Sequence, residues 1–233
     1  MKRFYLLFAI AIAILSTSVI FSSCSDDDGY SLGDIWYSKY ATVNNIGEPI
    51  RSFTIGDSTI LSVVASNIPN YIPKERRVSI TYTILGDIDN GHIIKLNGIA
   101  EIPTKDVLDI EVNDLANLTR DPIDFKSLTI SDQYVNLDFG FQYGSDSKLH
   151  QFDLYRIIPT SNSFAEADQI ENDTIDLEFV HNKNDDSEKW IRGTTRCYNL
   201  RSLNLAKHEK VTLKIKLNTL KGEKIVYADY TPF

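Results

Sequence analysis

Apolar and polar residues alternate with a period of two through much of the second half of the chain. In residues 134–143, Val135, Leu137, Phe139, Phe141 and Tyr143 fall on one side and Asn136, Asp138 and Gln142 on the other, which is the pattern of a half-buried strand. Residues 173–180 repeat it, with Ile175, Leu177 and Phe179 set against Thr174, Asp176 and Glu178. Further on, Val211, Leu213, Ile215 and Leu217 alternate with Thr212, Lys214, Lys216 and Asn218. Residues 144–147 (GSDS) turn the first of these into a return strand over 149–158, and Lys221-Gly222 turns the last into 225–230. One-face-apolar strands joined by tight turns predict an antiparallel β-sandwich over residues 106–233.

The first half reads as shorter strands. Residues 34–43 form the first, Gly47-Glu48-Pro49 a turn, and residues 52–55 and 59–64 a pair around Gly56-Asp57. Residues 77–86 are rich in β-branched side chains and lead through Asn90-Gly91, a dipeptide suited to tight hairpin turns, into a second strand over 92–102. Pro69 and Pro73 lack a ladder donor and mark a loop. Four or five strands suffice for a small OB-like barrel over residues 31–103, and residues 102–106 (IPTKD) read as the linker out of it. Asp87 to Gly91 superficially resembles a calcium loop, but the glycine comes one position early and no bidentate Glu follows, so turn chemistry accounts for it. Helix signals are slight: residues 163–166 (SFAE) have capping-box spacing, and the polar run 181–189 reads as a flexible loop. The fold class is therefore all-β, a small barrel followed by a sandwich.

The N-terminus breaks this pattern. Lys2 and Arg3 precede an unbroken apolar run over 4–15, which Ser16, Thr17 and Ser18 interrupt. That is the layout of a signal peptide over residues 1–23; a membrane-spanning anchor over 4–21 is the rival, and the hydroxyl residues favour cleavage. Phe21-Ser22-Ser23-Cys24 resembles the lipobox of bacterial lipoproteins, in which the cysteine thiol receives a diacylglycerol. Lipidation is thus expected at Cys24, with residues 24–30 as an acidic tether. Ser25, Asp26, Asp27 and Asp28 resemble the export signal that carries some lipoproteins to the outer leaflet of the outer membrane. Their charge would also keep the tether extended from anionic headgroups.

Charge and cysteine content narrow the function. The 233 residues carry a formal charge of −8, which becomes −10 once Lys2 and Arg3 leave with the leader, and such a surface argues against nucleic-acid binding. Lys74, Glu75, Arg76 and Arg77 are the densest basic spot and read as a solvated loop. With Cys24 lipidated, Cys197 has no intrachain partner and is expected as a buried small hydrophobe.

The opening Cys24-Ser-Asp-Asp-Asp-Gly-Tyr-Ser-Leu-Gly-Asp-Ile-Trp36, running into Tyr40-Ala41-Thr42-Val43, resembles the start of NigD-like lipoproteins. Members of that family pair an N-terminal OB-type barrel with a C-terminal β-sandwich, and the division near Pro103 matches that order. The family takes its name from a bacteriocin-associated operon, so the resemblance implies an immunity-like, non-catalytic role and brings no catalytic residues with it.

The residues agree with a non-enzyme. G-x-S-x-G, H-E-x-x-H, the P-loop and G-x-G-x-x-G are all missing, and His92, His150, His181 and His208 lack metal-ligand spacing. No cofactor, metal or catalytic residue is expected. Binding is better supported, through the outer membrane by the lipid anchor and through a surface protein partner or a glycan. Tyr30, Trp36, Tyr37 and Tyr40 cluster at the start of the barrel, and aromatic faces stack on sugars, so a glycan-binding lipoprotein of a polysaccharide-uptake system is the alternative. Core packing of this cluster, with Trp36 mostly buried, is the expectation. Asn117-Leu118-Thr119 and Asn172-Asp173-Thr174 carry little weight as glycosylation sites. Asp173-Thr174-Ile175 resembles an O-glycosylation pattern, yet Thr174 reads first as an ordinary strand residue.

Overall fold

The computed structural model describes residues 31–56, 58–159, 174–205 and 210–232, and in it the chain forms a closed barrel and a two-layered sheet structure. The barrel uses β1 (Trp36–Val43), β2 (Ser52–Ile55), β3 (Thr59–Ser66), β4 (Arg77–Ile88) and β5 (Gly91–Ile102) in the order β1-β2-β3-β5-β4, with β4 pairing back to β1. Antiparallel neighbours dominate, and one parallel pairing, β3 with β5, closes the ring. Phe53, Leu61, Val78, Ile80, Ile94 and Leu96 fill the interior. Each such side chain contributes roughly 1.5–3 kcal/mol by leaving water.

The β4–β5 hairpin forms as its composition predicts, but Asp89 and Asn90 are the turn residues and Gly91 already pairs with Ile88. Gly91 has another reason to be glycine. Its φ is +156°, and a Cβ there would lie 1.8 Å from the Ile60 carbonyl oxygen of neighbouring β3.

The second part contains β6 (Thr104–Asp106), β7 (Leu108–Glu111), β8 (Ile123–Ser131), β9 (Tyr134–Tyr143), β10 (Gln151–Ile158), β11 (Thr174–Asn182), β12 (Trp190–Asn199), β13 (Val211–Thr219) and β14 (Gly222–Tyr230). One layer runs β6-β12-β9-β8 and the other β7-β10-β11-β13, with β14 on the second side of β13; a single pairing, Thr219 with Ile123, joins them. Between the layers the alternating residues meet as expected. Phe139 packs edge-on against Phe152 and Phe179 with centroids 5.1 and 5.2 Å apart, and Leu177, Leu213, Ile215 and Leu217 complete the core.

The hairpins β8–β9 and β13–β14 are antiparallel, but β11 pairs with β13 in parallel, as do β6 with β12 and β7 with β10. Residues 104–106, expected as linker, are therefore strand. Buried Val107 marks the crossing between the two layers, and the segments on either side of it satisfy ladder groups on the edges of β12 and β10.

β9 also departs from the half-buried expectation. Its alternation is real, yet Asn136 and Asp138 are buried too, because the barrel covers the outer face of β8-β9-β12. The sequence pattern gives the parity of a strand without saying what lies on its polar side.

Candidate functional site

Of the aromatic residues at the barrel start that were expected in the core, Tyr40 packs, partly buried, on the Ile102–Tyr134–Cys197 cluster, while Trp36 and Tyr37 lie outside it. Trp36 and Tyr37 pair with Tyr82 and Thr81 of β4 but are 43% and 63% exposed. A register shift between Ser38 and Ala41 explains this, since β1 turns its apolar side to the barrel interior only from Ala41 and Val43 onward. As consecutive strand residues, Trp36 and Tyr37 project to opposite faces. Tyr40 turns to the sandwich, where its hydroxyl donates to Asp138 Oδ2 at 2.7 Å. The three rings share no groove. Tyr30 lies outside the described residues.

Asp138 sits at the centre of the barrel–sandwich junction. It also accepts from Lys39 Nζ (2.5 Å), Ser127 Oγ (2.9 Å) and Thr195 Oγ1 (2.5 Å). Burial pushes its carboxyl up, but the four donors outweigh that and hold it at about 2. Nearby, Arg77 is completely buried, contrary to the solvated loop expected for residues 74–77. Its Nη1 donates to Asp132 Oδ2 (2.7 Å) and Thr42 Oγ1 (2.5 Å), and its Nη2 to Ser131 Oγ and Asn136 Oδ1 (both 3.0 Å). The Tyr134 ring lies 4.9 Å from its guanidinium carbon. The reason is local: Arg77 opens β4, and the strand's first turn of side chains meets the sandwich instead of water. Cys197, buried as expected, gives its thiol to Asn136 Oδ1 at 3.2 Å, and burial pushes it up to about 11. A thiol so far from ionisation is no nucleophile at neutral pH. The junction uses its polar groups internally and is structural.

At the opposite end of the sandwich the fold brings together histidines that are distant in sequence. His150 Nδ1 and His181 Nε2 are 2.8 Å apart with rings stacked at 19°, and His150 Nε2 lies 3.2 Å from Asp186 Oδ2. The carboxylate can only accept, so His150 Nε2–H donates to Asp186, and the His150 Nδ1–His181 Nε2 contact is a hydrogen bond between the two rings. His181 Nδ1 is a buried nitrogen without a hydrogen bond. Burial, together with the neighbouring His150, lowers His181 to about 4. Asp186 also accepts from the backbone N–H groups of Gly144 (2.9 Å), Ser145 (3.2 Å) and Ser187. The Gly144 bond leads in holding its carboxyl well below the usual range. These bonds pin the polar run 181–189 that was expected to be a flexible loop. Among the described residues no hydroxyl or thiol bonds to either imidazole, and no group of three or more His, Cys, Asp or Glu is placed to hold a metal ion. Among the described residues the trio has no nucleophile that would make it a catalytic triad.

Beside the trio, the Tyr143 and Trp190 rings meet at a 48° tilt with centroids 5.8 Å apart, with exposed Ile191 and Leu149 close in sequence to them. Arg192 covers Tyr143 at 4.2 Å and Lys189 sits over Trp190 at 5.8 Å. A cavity of about 180 Å³ opens here between the layers, lined by Phe141, Lys148, His150, Phe152, Arg192 and Arg196 among others. Sequence reading misses this region because β12 places Arg192, Thr194 and Arg196 at inward positions, which hides its alternation. The β-branched and aromatic content of residues 190–199 is the signal that could have revealed it. Cys24, Ser25, Asp26, Asp27 and Asp28 lie outside the described residues, as do His208 and residues 163–166. Thr174, half-buried, opens β11.

A five-stranded barrel set on the outer face of a β-sandwich defines a two-part, all-β class of protein with no assembled catalytic centre among the described residues. Residues 106–230 match the profile of the NigD-like C-terminal β-sandwich domain, and the chain belongs to the NigD-like family. A crystal structure of a Parabacteroides distasonis protein, provisionally named toxin-related, is 30% identical, with 85% of this chain and 94% of that one covered and a TM-score of 0.68. The fold is shared with a NigD-like immunity protein from Bacteroides caccae (18% identity, 88% and 100% covered, TM-score 0.58). A Bacteroides fragilis structure provisionally named a lipoprotein shares it too (15%, 84% and 96%, TM-score 0.53). Among curated proteins, none matches the chain.

Proposed function

We propose that this protein is anchored by lipid at Cys24 to the outer membrane, is displayed on the cell surface, and binds a partner protein without chemistry in an immunity-like role. The observation that carries the binding role is exposed Trp190, set against Tyr143 at the rim of a cationic cavity that exposed Leu149 also lines, while Ile191, exposed too, projects from the other face of β12. An apolar patch with a polar rim suits a protein interface. The NigD-like immunity protein and the lipoprotein among its structural relatives support the role and the address. A sugar platform is less well served. Stacking needs aromatic faces open in one groove, whereas Arg192 occupies a face of Tyr143 and the rings of Trp36 and Tyr37 diverge.

The test is a photo-crosslinking residue at Ile191 in the full-length lipoprotein on living cells, with Glu48 in an exposed barrel turn as control. A discrete crosslinked surface protein from position 191 but not 48 is the expected result. The exposure of Trp36 keeps a second reading in view. A hit on a broad glycan array, abolished by Trp36→Ala in a folded protein, would replace partner binding with sugar binding.

A further inference from the structure

β12 is an edge strand along most of its length. Among the described residues β6 pairs with it at Cys197, Tyr198 and Asn199, so Trp190 to Arg196 have β9 on one side and no described strand on the other. The Cys197 N–H points toward that open side, donating to Pro103 O at 3.1 Å. β12 pairs with β9 without a register shift, so by the strand's period the N–H and C=O groups of Ile191, Gly193 and Thr195 point the same way. Gly193 adds no obstacle, since a Cβ there would meet nothing within 4 Å.

The cations along this side are unevenly matched. Toward the β6 and β7 end, Lys105 pairs with Asp153 and Arg156 with Asp109, both at 2.7 Å. Beside the open edge, Arg192 pairs with Asp146. Arg196 has no ion pair among the described residues. Its Nη1 donates to Thr194 Oγ1 (2.7 Å) and the Thr195 carbonyl (3.0 Å), and the guanidinium lies over Phe152 at 5.1 Å. Half-buried, it faces the 180 Å³ cavity together with Lys148, whose ammonium donates, among the described residues, to the Asn184 carbonyl. On a chain of net charge −8, this slot holds Lys148, Arg192 and Arg196 against one lining carboxylate, Asp146, and its Arg196 makes no ion pair among the described residues.

We propose that the edge of β12 at residues 190–196 receives an extended acidic segment of a partner protein as an added strand, with a carboxylate side chain of that segment pairing with Arg196 in the slot. Backbone ladder bonds supply affinity, and the slot selects the side chain that alternates into it. The carboxylate pairs with the guanidinium through charge-assisted hydrogen bonds. Inward-pointing charges on an edge strand deter pairing with apolar strands of other copies, so the same residues that protect this edge select an acidic strand. The proposal rests on the partner-binding reading and specifies its chemistry.

The test uses the full-length lipoprotein in detergent and a capped peptide of alternating Thr and Glu, with a Thr/Gln peptide as control. Slowed amide hydrogen exchange over residues 190–196 with the Glu peptide, and at least about tenfold weaker binding of the Gln peptide, are expected. Arg196→Gln should weaken the Glu peptide by a similar factor. Thr195→Pro, which removes one edge N–H and leaves Arg196 in place, should do so independently. Absence of protection, or full binding by folded Arg196→Gln, overturns the proposal. Polygalacturonate binding without edge protection also overturns it, assigning the slot to an acidic sugar. A partner crosslinked from Ile191 whose capture is indifferent to Arg196→Gln would leave partner binding standing and remove only the added strand.

Discussion

Arg77 of the barrel and Asp132 of the β8–β9 turn form a buried ion pair, Nη1 to Oδ2 at 2.7 Å, and it joins the two halves of the fold. Ser131, Asn136 and Thr42 also accept from the guanidinium. Removing one partner strands a charge away from water, so Arg77→Ala should cost about 3–5 kcal/mol in urea unfolding. The double variant Arg77→Met/Asp132→Leu should be less damaging than the sum of its single changes. Additive losses would mean the two residues act separately.

The second prediction concerns acid. His181 is lowered from 6.5 to about 4, so between those values the unfolded chain binds a proton that the folded chain does not. Stability is therefore full above about pH 6.5 and falls as pH drops toward 4, by about 3 kcal/mol. Asp138, held at about 2 against 3.8, adds a second loss below pH 3.8. His181→Gln should flatten the first window and leave the second. Denaturant midpoints at pH 7, 5, 4 and 2 measure both.

Much of the fold is legible in residue order. The parity of residues 134–143, 174–180 and 211–217 places the sandwich core, and β-branched content places the β4–β5 hairpin. What period two cannot convey is what covers the polar side. Asn136 and Asp138 look solvated in sequence and lie under the barrel. Arg77 stands in a basic run, so nothing local separates it from exposed Arg76. The open slot was equally hidden, because Arg192 and Arg196 occupy positions where an apolar residue would have announced a strand. His150, His181 and Asp186 meet only through the pairing of β10 with β11. Parallel pairing of β11 with β13 had no sequence signal, since alternation is the same in either direction.

Cys197 supplies a chemical check on the junction. Burial raises its thiol to about 11, and Asn136 holds the hydrogen. The native protein should resist alkylation by iodoacetamide at pH 8, reacting at least about tenfold more slowly than after unfolding in urea. Asn136→Ala, by loosening the Arg77 site, should speed the native reaction. Equal rates before and after unfolding would place the thiol at the surface.

For the anchor, the lipobox-like run ending at Cys24 predicts that Cys24→Ala is not acylated and is lost from washed membranes. Fractionation decides between this and a retained leader. A variant that stays membrane-bound with its leader intact would make residues 4–21 a transmembrane anchor.

The final prediction separates address from tether. Asp26, Asp27 and Asp28 stand next to the lipid-bearing residue, where carboxylates are repelled by anionic headgroups, and that repulsion acts on either leaflet. Only a receptor that reads the acidic run can make its loss change which leaflet the protein reaches. Replacing all three by Ala should leave acylation at Cys24 intact and lower cleavage by protease added to whole cells several-fold. If sensitivity is unchanged while both proteins remain acylated, the run serves as a spacer and surface display depends on other residues.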